Sequence, residues 1–171
     1  HNDVLFGSDV ANVFYGNAGN DQLFGLGGND RLEGMIGDDA LFGGDGNDLL
    51  GGGDGADGVF GEAGNDTLYG GYGNDWIEGG AGNDVLSGDI GDDTMIGGDG
   101  NDFFVLGAGN DGLTLGAGDD RVRFVDRDDR HGRVRGALGG RGALVLRDPA
   151  PRARPREPLP RVRPAHAHPL H

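Results

Sequence analysis

One large apolar residue recurs at every ninth position, from Phe14 through Leu23, Leu32, Leu41, Leu50, Val59, Leu68, Ile77, Leu86, Met95, Phe104 and Leu113 to Val122. Between these residues the chain is dominated by Gly, Asn and Asp. From Gly7 to Arg123 it divides, without insertion or deletion, into thirteen nonapeptides of the form G-G-x-G-x-D-x-U-x, with U the apolar residue. Gly61-Glu-Ala-Gly-Asn-Asp66-Thr-Leu68-Tyr69 and Gly79-Gly-Ala-Gly-Asn-Asp84-Val-Leu86-Ser87 are two of them. A fixed period of this kind means that each repeat is one structural unit stacked on its neighbours. No helical period appears before residue 124.

Within each unit the segment G-G-x-G-x-D is made of residues that tolerate positive φ and form tight turns. The remaining x-U-x predicts a strand of three residues, about 10 Å long. Only its middle side chain is expected to point inward, because neighbours along a strand alternate faces. The flanking Gln22, Arg31, Glu33, Thr67 and Glu78 suit an outer face. So short a strand is not stable alone, so turn and strand must repeat, reverse and stack. Two nonapeptides make one coil of 18 residues, and successive coils build two short-stranded parallel sheets with the U column between them. The fold class is all-β. The thirteen repeats give six and a half coils, a stack about 30 Å tall at ~4.8 Å per strand.

Residues 18 apart are then stacked neighbours, and this decides the chemistry. Position six is Asp in every repeat but the first, where it is Asn12. One edge carries Asp30, Asp48, Asp66, Asp84, Asp102 and Asp120, and the other carries Asp21, Asp39, Asp57, Asp75, Asp93 and Asp111. Carboxylates about 5 Å apart repel by ~1 kcal/mol per pair in water, and by more where hydration is reduced. No ladder of bases lies opposite. The Gly turns add carbonyl oxygens. Carboxylate plus carbonyl, without nitrogen or sulfur, is the ligand set of a hard divalent cation. Calcium suits it better than magnesium, because calcium accepts six to eight oxygens in irregular geometry. Asp9, Asp45, Asp54 and Asp99, at position three, read as turn formers instead.

Charge and composition narrow the function. The net charge is −15, but residues 1–120 carry −23 and residues 121–171 carry +8. So acidic a body speaks against nucleic acid and anionic membranes as partners. No apolar run is long enough to span a bilayer. The chain has no Cys, hence no disulfide framework and no thiol chemistry.

Residues 1–123 resemble the RTX, or haemolysin-type, calcium-binding repeats of bacterial exoproteins. The resemblance implies a right-handed parallel β-roll with several Ca2+ ions held between successive turns on each edge. It implies as ligands the twelve position-six Asp residues, together with backbone carbonyls of the Gly turns at positions two and four, such as Gly80 and Gly82. Repeat one departs from the pattern at Val10 and Asn12, which puts a site there in doubt. Repeats twelve and thirteen begin with Leu106 and Leu115 instead of Gly, so the roll is expected to end there. The family further implies an extracellular, bacterial location without a cleaved N-terminal signal peptide. It also implies a covalently linked parent domain such as a protease, lipase, toxin or polysaccharide-modifying enzyme. His1 to Phe6 fit positions four to nine of a repeat, so the chain is expected to be part of a longer protein.

Catalysis finds no support. Two matches to G-x-G-x-x-G, at residues 53–58 and 107–112, are not followed by the helix that a dinucleotide site requires, and Asp54 and Asp57 in the first would repel a pyrophosphate. No H-E-x-x-H is present, and four of the five His lie beyond residue 130. The reading is a calcium-binding structural module that folds outside the cell and stabilises or assists export of a larger protein. The alternative is a recognition module for a polysaccharide or a partner, because Phe24, Phe42 and Phe60 at position nine should stack on one face with Trp76 nearby. Residues 124–171, rich in Arg and containing all seven Pro, leave the nine-residue frame and read as an irregular or disordered tail. Such a composition would also come from an out-of-frame reading of a GC-rich gene. The competing reading is a cap over the open end of the roll.

Overall fold

The computed structural model describes residues 1–124. The expectations for the Arg- and Pro-rich tail lie outside these residues, except that the last strand includes Phe124. Fourteen strands follow one another: β1 (Val4–Ser8), β2 (Val13–Ala18), β3 (Gln22–Gly27), β4 (Arg31–Ile36), β5 (Ala40–Asp45), β6 (Leu49–Asp54) and β7 (Gly58–Ala63), then β8 (Thr67–Tyr72), β9 (Trp76–Ala81), β10 (Val85–Ile90), β11 (Thr94–Asp99), β12 (Phe103–Leu106), β13 (Gly112–Ala117) and β14 (Arg121–Phe124). The odd-numbered strands form one seven-stranded sheet in chain order and the even-numbered strands form the other. Every pairing is parallel between residues 18 apart, as in Leu50 with Leu68 and Val59 with Ile77. The chain is thus a parallel β-solenoid of about seven turns with 18 residues per coil.

The U residues face one another across the gap between the sheets. From Leu23 to Phe104 all ten are fully buried, and Leu113 is nearly so. Leu5, Phe14 and Val122 close the column at its ends. Up to Phe104 each coil therefore contributes only two large apolar side chains to the core, so stability is built coil by coil along the stack.

The strands are longer than the three residues expected. Most run for six, from position seven of one repeat through position three of the next, and the turn shrinks to positions four to six. The Gly residues that look like turn formers are part of the ladder. Position one faces inward: a Cβ on Gly61 would lie 2.5 Å from Asp66 Oδ2 and 2.6 Å from the Gly79 carbonyl oxygen. Position two bends the strand at positive φ, at about 110° where it is Gly, as in Gly80 (108°) and Gly98 (110°), and nearer 75° where it is Leu26 or Glu62 (74°).

Leu106 and Leu115 occupy this inward position one. Leu106 is buried and Leu115 packs against the core, so both extend the apolar column where Gly would leave room. Leu106 also closes β12 after four residues, and the ladder resumes only as a bridge between Ile90 and Ala108.

Candidate metal centre along the two edges

Each turn between the sheets is three residues, G-x-D, and successive turns stack along an edge. The structure gathers the position-six residues as two columns, the Asp66 edge (Asp30 to Asp120) and the Asp57 edge (Asp21 to Asp111). Eleven of these twelve Asp are buried, and Asp120, in the last turn, is half-buried. Their side chains point into the solenoid, beside the position-one Gly.

The two oxygens of each carboxylate have different fates. Oδ1 accepts the backbone N–H of the Asp one coil earlier: Asp48 N to Asp66 Oδ1 at 2.8 Å, Asp66 N to Asp84 Oδ1 at 2.8 Å, and Asp57 N to Asp75 Oδ1 at 2.9 Å. The same bond recurs from Asp3–Asp21 to Asp102–Asp120. Oδ2 is buried and accepts nothing in ten of the columns' members: Asp21, Asp30, Asp39, Asp48, Asp57, Asp66, Asp75, Asp84, Asp93 and Asp102. A buried charged oxygen left without a partner is strongly unfavourable. Among the described residues the salt bridge formed is Arg31–Glu33, 3.0 Å apart on an outer face, so no base offsets the ladders.

The electrostatics follow from this burial. Loss of hydration pushes Asp57, Asp66 and Asp93 up to about 7 and Asp102 up to about 6, against the opposing effect of the backbone N–H each accepts. Repulsion from stacked neighbours adds to the rise, as from Asp75, Asp39 and Asp38 at Asp57. Asp39, Asp48, Asp75 and Asp84 are raised by the same dominant cause.

Backbone carbonyl oxygens lie with the orphaned oxygens beside the position-one Gly, as Gly79 O and Asp66 Oδ2 do beside Gly61. The Gly82 carbonyl accepts none of the inter-coil hydrogen bonds of the turns and lies so close against Gly100 that a Cβ there has no room. The Gly80 carbonyl faces Gly98 in the same way. Among the described residues no three His, Cys, Asp or Glu side chains converge on a point. Any cation between the coils would therefore take its remaining ligands from backbone carbonyls. Asn12 behaves differently from the Asp residues, because its Oδ1 accepts the nearby Ser8 N–H at 2.9 Å. Its side-chain oxygen is thus taken up within its own repeat.

The sequence of residues 1–122 matches the profile of the RTX calcium-binding nonapeptide repeat (4 copies) in five overlapping segments: 1–32, 24–59, 51–86, 60–95 and 87–122. The chain belongs to this family. RTX repeats bind Ca2+, and this many repeats bind several ions. The RTX β-roll is a structural, non-catalytic module, typical of secreted bacterial proteins. No curated protein matches the chain.

Two features of the RTX roll were missed in the sequence. Position five is Asn or Asp in eleven of thirteen repeats, and its Oδ1 accepts the N–H of position five one coil later, as from Asn83 N to Asn65 Oδ1 at 2.7 Å. The recurrence of Asn before Asp was the available signal. Phe6 joins Phe24, Phe42 and Phe60 in a stack with ring centroids 4.8–4.9 Å apart and planes within 9°. It belongs to the partial repeat before Gly7, and only the 18-residue spacing carried back to that half-repeat reveals it.

Proposed function

We propose that residues 1–124 are a calcium-folded structural module of a larger secreted protein. Ions would be held between successive coils by the position-six Asp residues of both edges, with turn carbonyls such as those of Gly80 and Gly82 completing each site. One observation carries the reading: ten buried carboxylate oxygens have no hydrogen-bond partner. A divalent cation would neutralise the ladders and satisfy these oxygens.

The magnitudes are adequate. Extracellular calcium modules bind with Kd ~10⁻⁴–10⁻³ M. At tenfold Kd each site contributes about 1.4 kcal/mol, and about ten sites contribute on the order of 14 kcal/mol. That is comparable to the stability of a whole domain. Where calcium is scarce the acidic body, at −23 over residues 1–120, would stay expanded by self-repulsion. An expanded chain suits export, and millimolar calcium outside the cell would then fold it beside its parent domain. Circular dichroism in EDTA and then in millimolar calcium tests this. Coil converting to sheet is expected, and full sheet in EDTA at neutral pH would defeat the proposal.

A second reading is recognition through the outer face of the odd-numbered sheet. The Phe6–Phe60 strip is an apolar surface on an otherwise acidic body. Because its rings stack face to face, it offers ring edges along its length. Sugars pack on ring faces, so the strip favours a protein partner, such as the parent domain, over polysaccharide. Trp76, outside the stack and nearly half exposed, is the aromatic best placed for a sugar. Binding of polysaccharides in calcium by the chain and by Trp76→Ala distinguishes these partners.

A further inference from the structure

At most coil junctions two side-chain bonds cross the turn in opposite directions. The position-six carboxylate accepts from the coil before it, and the position-five side chain accepts from the coil after it. The first bond relies on carboxylates that repel one another unless a cation lies between them. The second is made mostly by neutral amides and needs no metal.

The position-five rails of the two edges differ. On the Asp66 edge the N–H groups of Asn47, Asn65, Asn83, Asn101 and Asp119 all donate to the Oδ1 one coil earlier, at 2.7–3.0 Å. The Asn83 and Asn101 side-chain amides add further bonds to Asn65 and Asn83, each 3.1 Å. Past Ala11, in the first repeat, this rail is unbroken. On the Asp57 edge the rail runs from Asn2 through Asn20 and Asp38 to the N–H of Ala56. There it stops, because Ala56 has no side-chain acceptor for the N–H of Asn74. It resumes from Asn74 to Asp92 and Asn110. In mid-roll, the junction between turns 55–57 and 73–75 thus keeps one of its two side-chain bonds, Asp57 N to Asp75 Oδ1, beside the backbone bonds Gly55 N to Tyr72 O and Trp76 N to Asp57 O.

We propose that calcium controls the two edges unequally. The Asp57 edge, cut at Ala56, opens first as calcium falls, while the Asn rail keeps the Asp66 edge stitched. This rests on the calcium reading above and deepens it. Loss of ions would begin at the 55–57/73–75 junction and spread along one edge, so the roll would open as a seam before the sheets separate.

Hydrogen exchange of the full chain in buffered calcium tests the inference. The amides of Gly55 and Asp57, which donate across this junction to Tyr72 O and Asp75 Oδ1, should lose protection at a calcium concentration at which those of Gly64 and Asp66, which donate to Ala81 O and Asp84 Oδ1 on the other edge, still hold it. Ala56→Asn restores the missing acceptor and should slow exchange at Asn74 about fivefold, the factor carried by one net hydrogen bond. It should also bring the calcium midpoints of the two edges together. Asn83→Ala cuts the opposite rail and should raise the calcium needed to protect residue 101. Loss of protection on both edges at one calcium concentration in the unmodified chain would overturn the inference and leave the calcium reading standing. So would an Ala56→Asn chain that folds normally with exchange at Asn74 unchanged. Exchange indifferent to calcium on both edges would overturn both.

Discussion

Leu68 and Asp66 are two residues apart, both buried, and each is stacked on its like 18 positions away. The columns they belong to differ in one respect. The Leu68 column meets the opposite sheet and is complete in protein atoms alone. The Asp66 column satisfies Oδ1 and leaves Oδ2 bare. The apolar column explains why the coils stack, and the carboxylate column explains why stacking alone is not enough. A row of unpaired buried carboxylates calls for a counter-charge, and among the described residues no base supplies one.

Of the changes that could break this contrast, Leu68→Ala should cost most. Each coil holds only two large apolar side chains, so the gap cannot be refilled from a neighbour. A loss of about 2–5 kcal/mol is expected in calcium by chemical denaturation. A loss below about 1 kcal/mol would mean that the column is not the core.

Asp66→Ala should come next, at about 1–3 kcal/mol in calcium, because it strips the acceptor from Asp48 N–H as well as a candidate ligand. Asp66→Asn sharpens the test. It keeps an oxygen for Asp48 but removes the charge. It should raise the calcium concentration needed for folding while leaving metal-free stability unchanged or improved. Equal calcium midpoints for the Asn variant and the unmodified chain would remove Asp66 from the binding set.

The pH response separates the columns without mutation. Asp57, Asp66 and Asp93 are raised to about 7 in the folded chain, against an unfolded value of about 3.9. The folded state therefore binds more protons. In EDTA this contribution is fully present below pH ~3.9 and is lost as pH rises through about 7. Calcium reverses the trend, because its ligands must be ionised and protons compete with it. Metal-free sheet content by circular dichroism should fall between pH 4 and 7, while calcium affinity rises over the same range. Metal-free stability that increases with pH would contradict this assignment of the carboxylates.

Asp54→Ala should do least. Asp54 sits exposed at position three, and its loss should fall within about 0.5 kcal/mol with an unchanged calcium midpoint. An effect as large as that of Asp66→Ala would mean that position six has no special role.

Much of this was legible in the sequence. The nine-residue recurrence of Leu23 to Leu113 identified the core, and the pairing of residues 18 apart placed Asp66 above Asp48 and Phe42 above Phe24. The strand length was not legible, because Gly61 and Gly70 look like turn residues. Only the packed coils show that position one is Gly to leave room beside a buried carboxylate. The position-five rail was hidden for a related reason: Asn65 is an ordinary turn former until its side chain is seen to meet the next coil.

The most direct test of the central claim is a crystal structure of the calcium-loaded chain with anomalous scattering from the ions. The account predicts ions between successive turns on both edges, each ~2.3–2.6 Å from a position-six Oδ2 and from turn carbonyls. Ions confined to exposed carboxylates such as Asp38, Asp54 and Asp92, with the buried Oδ2 atoms still without a ligand, would contradict it.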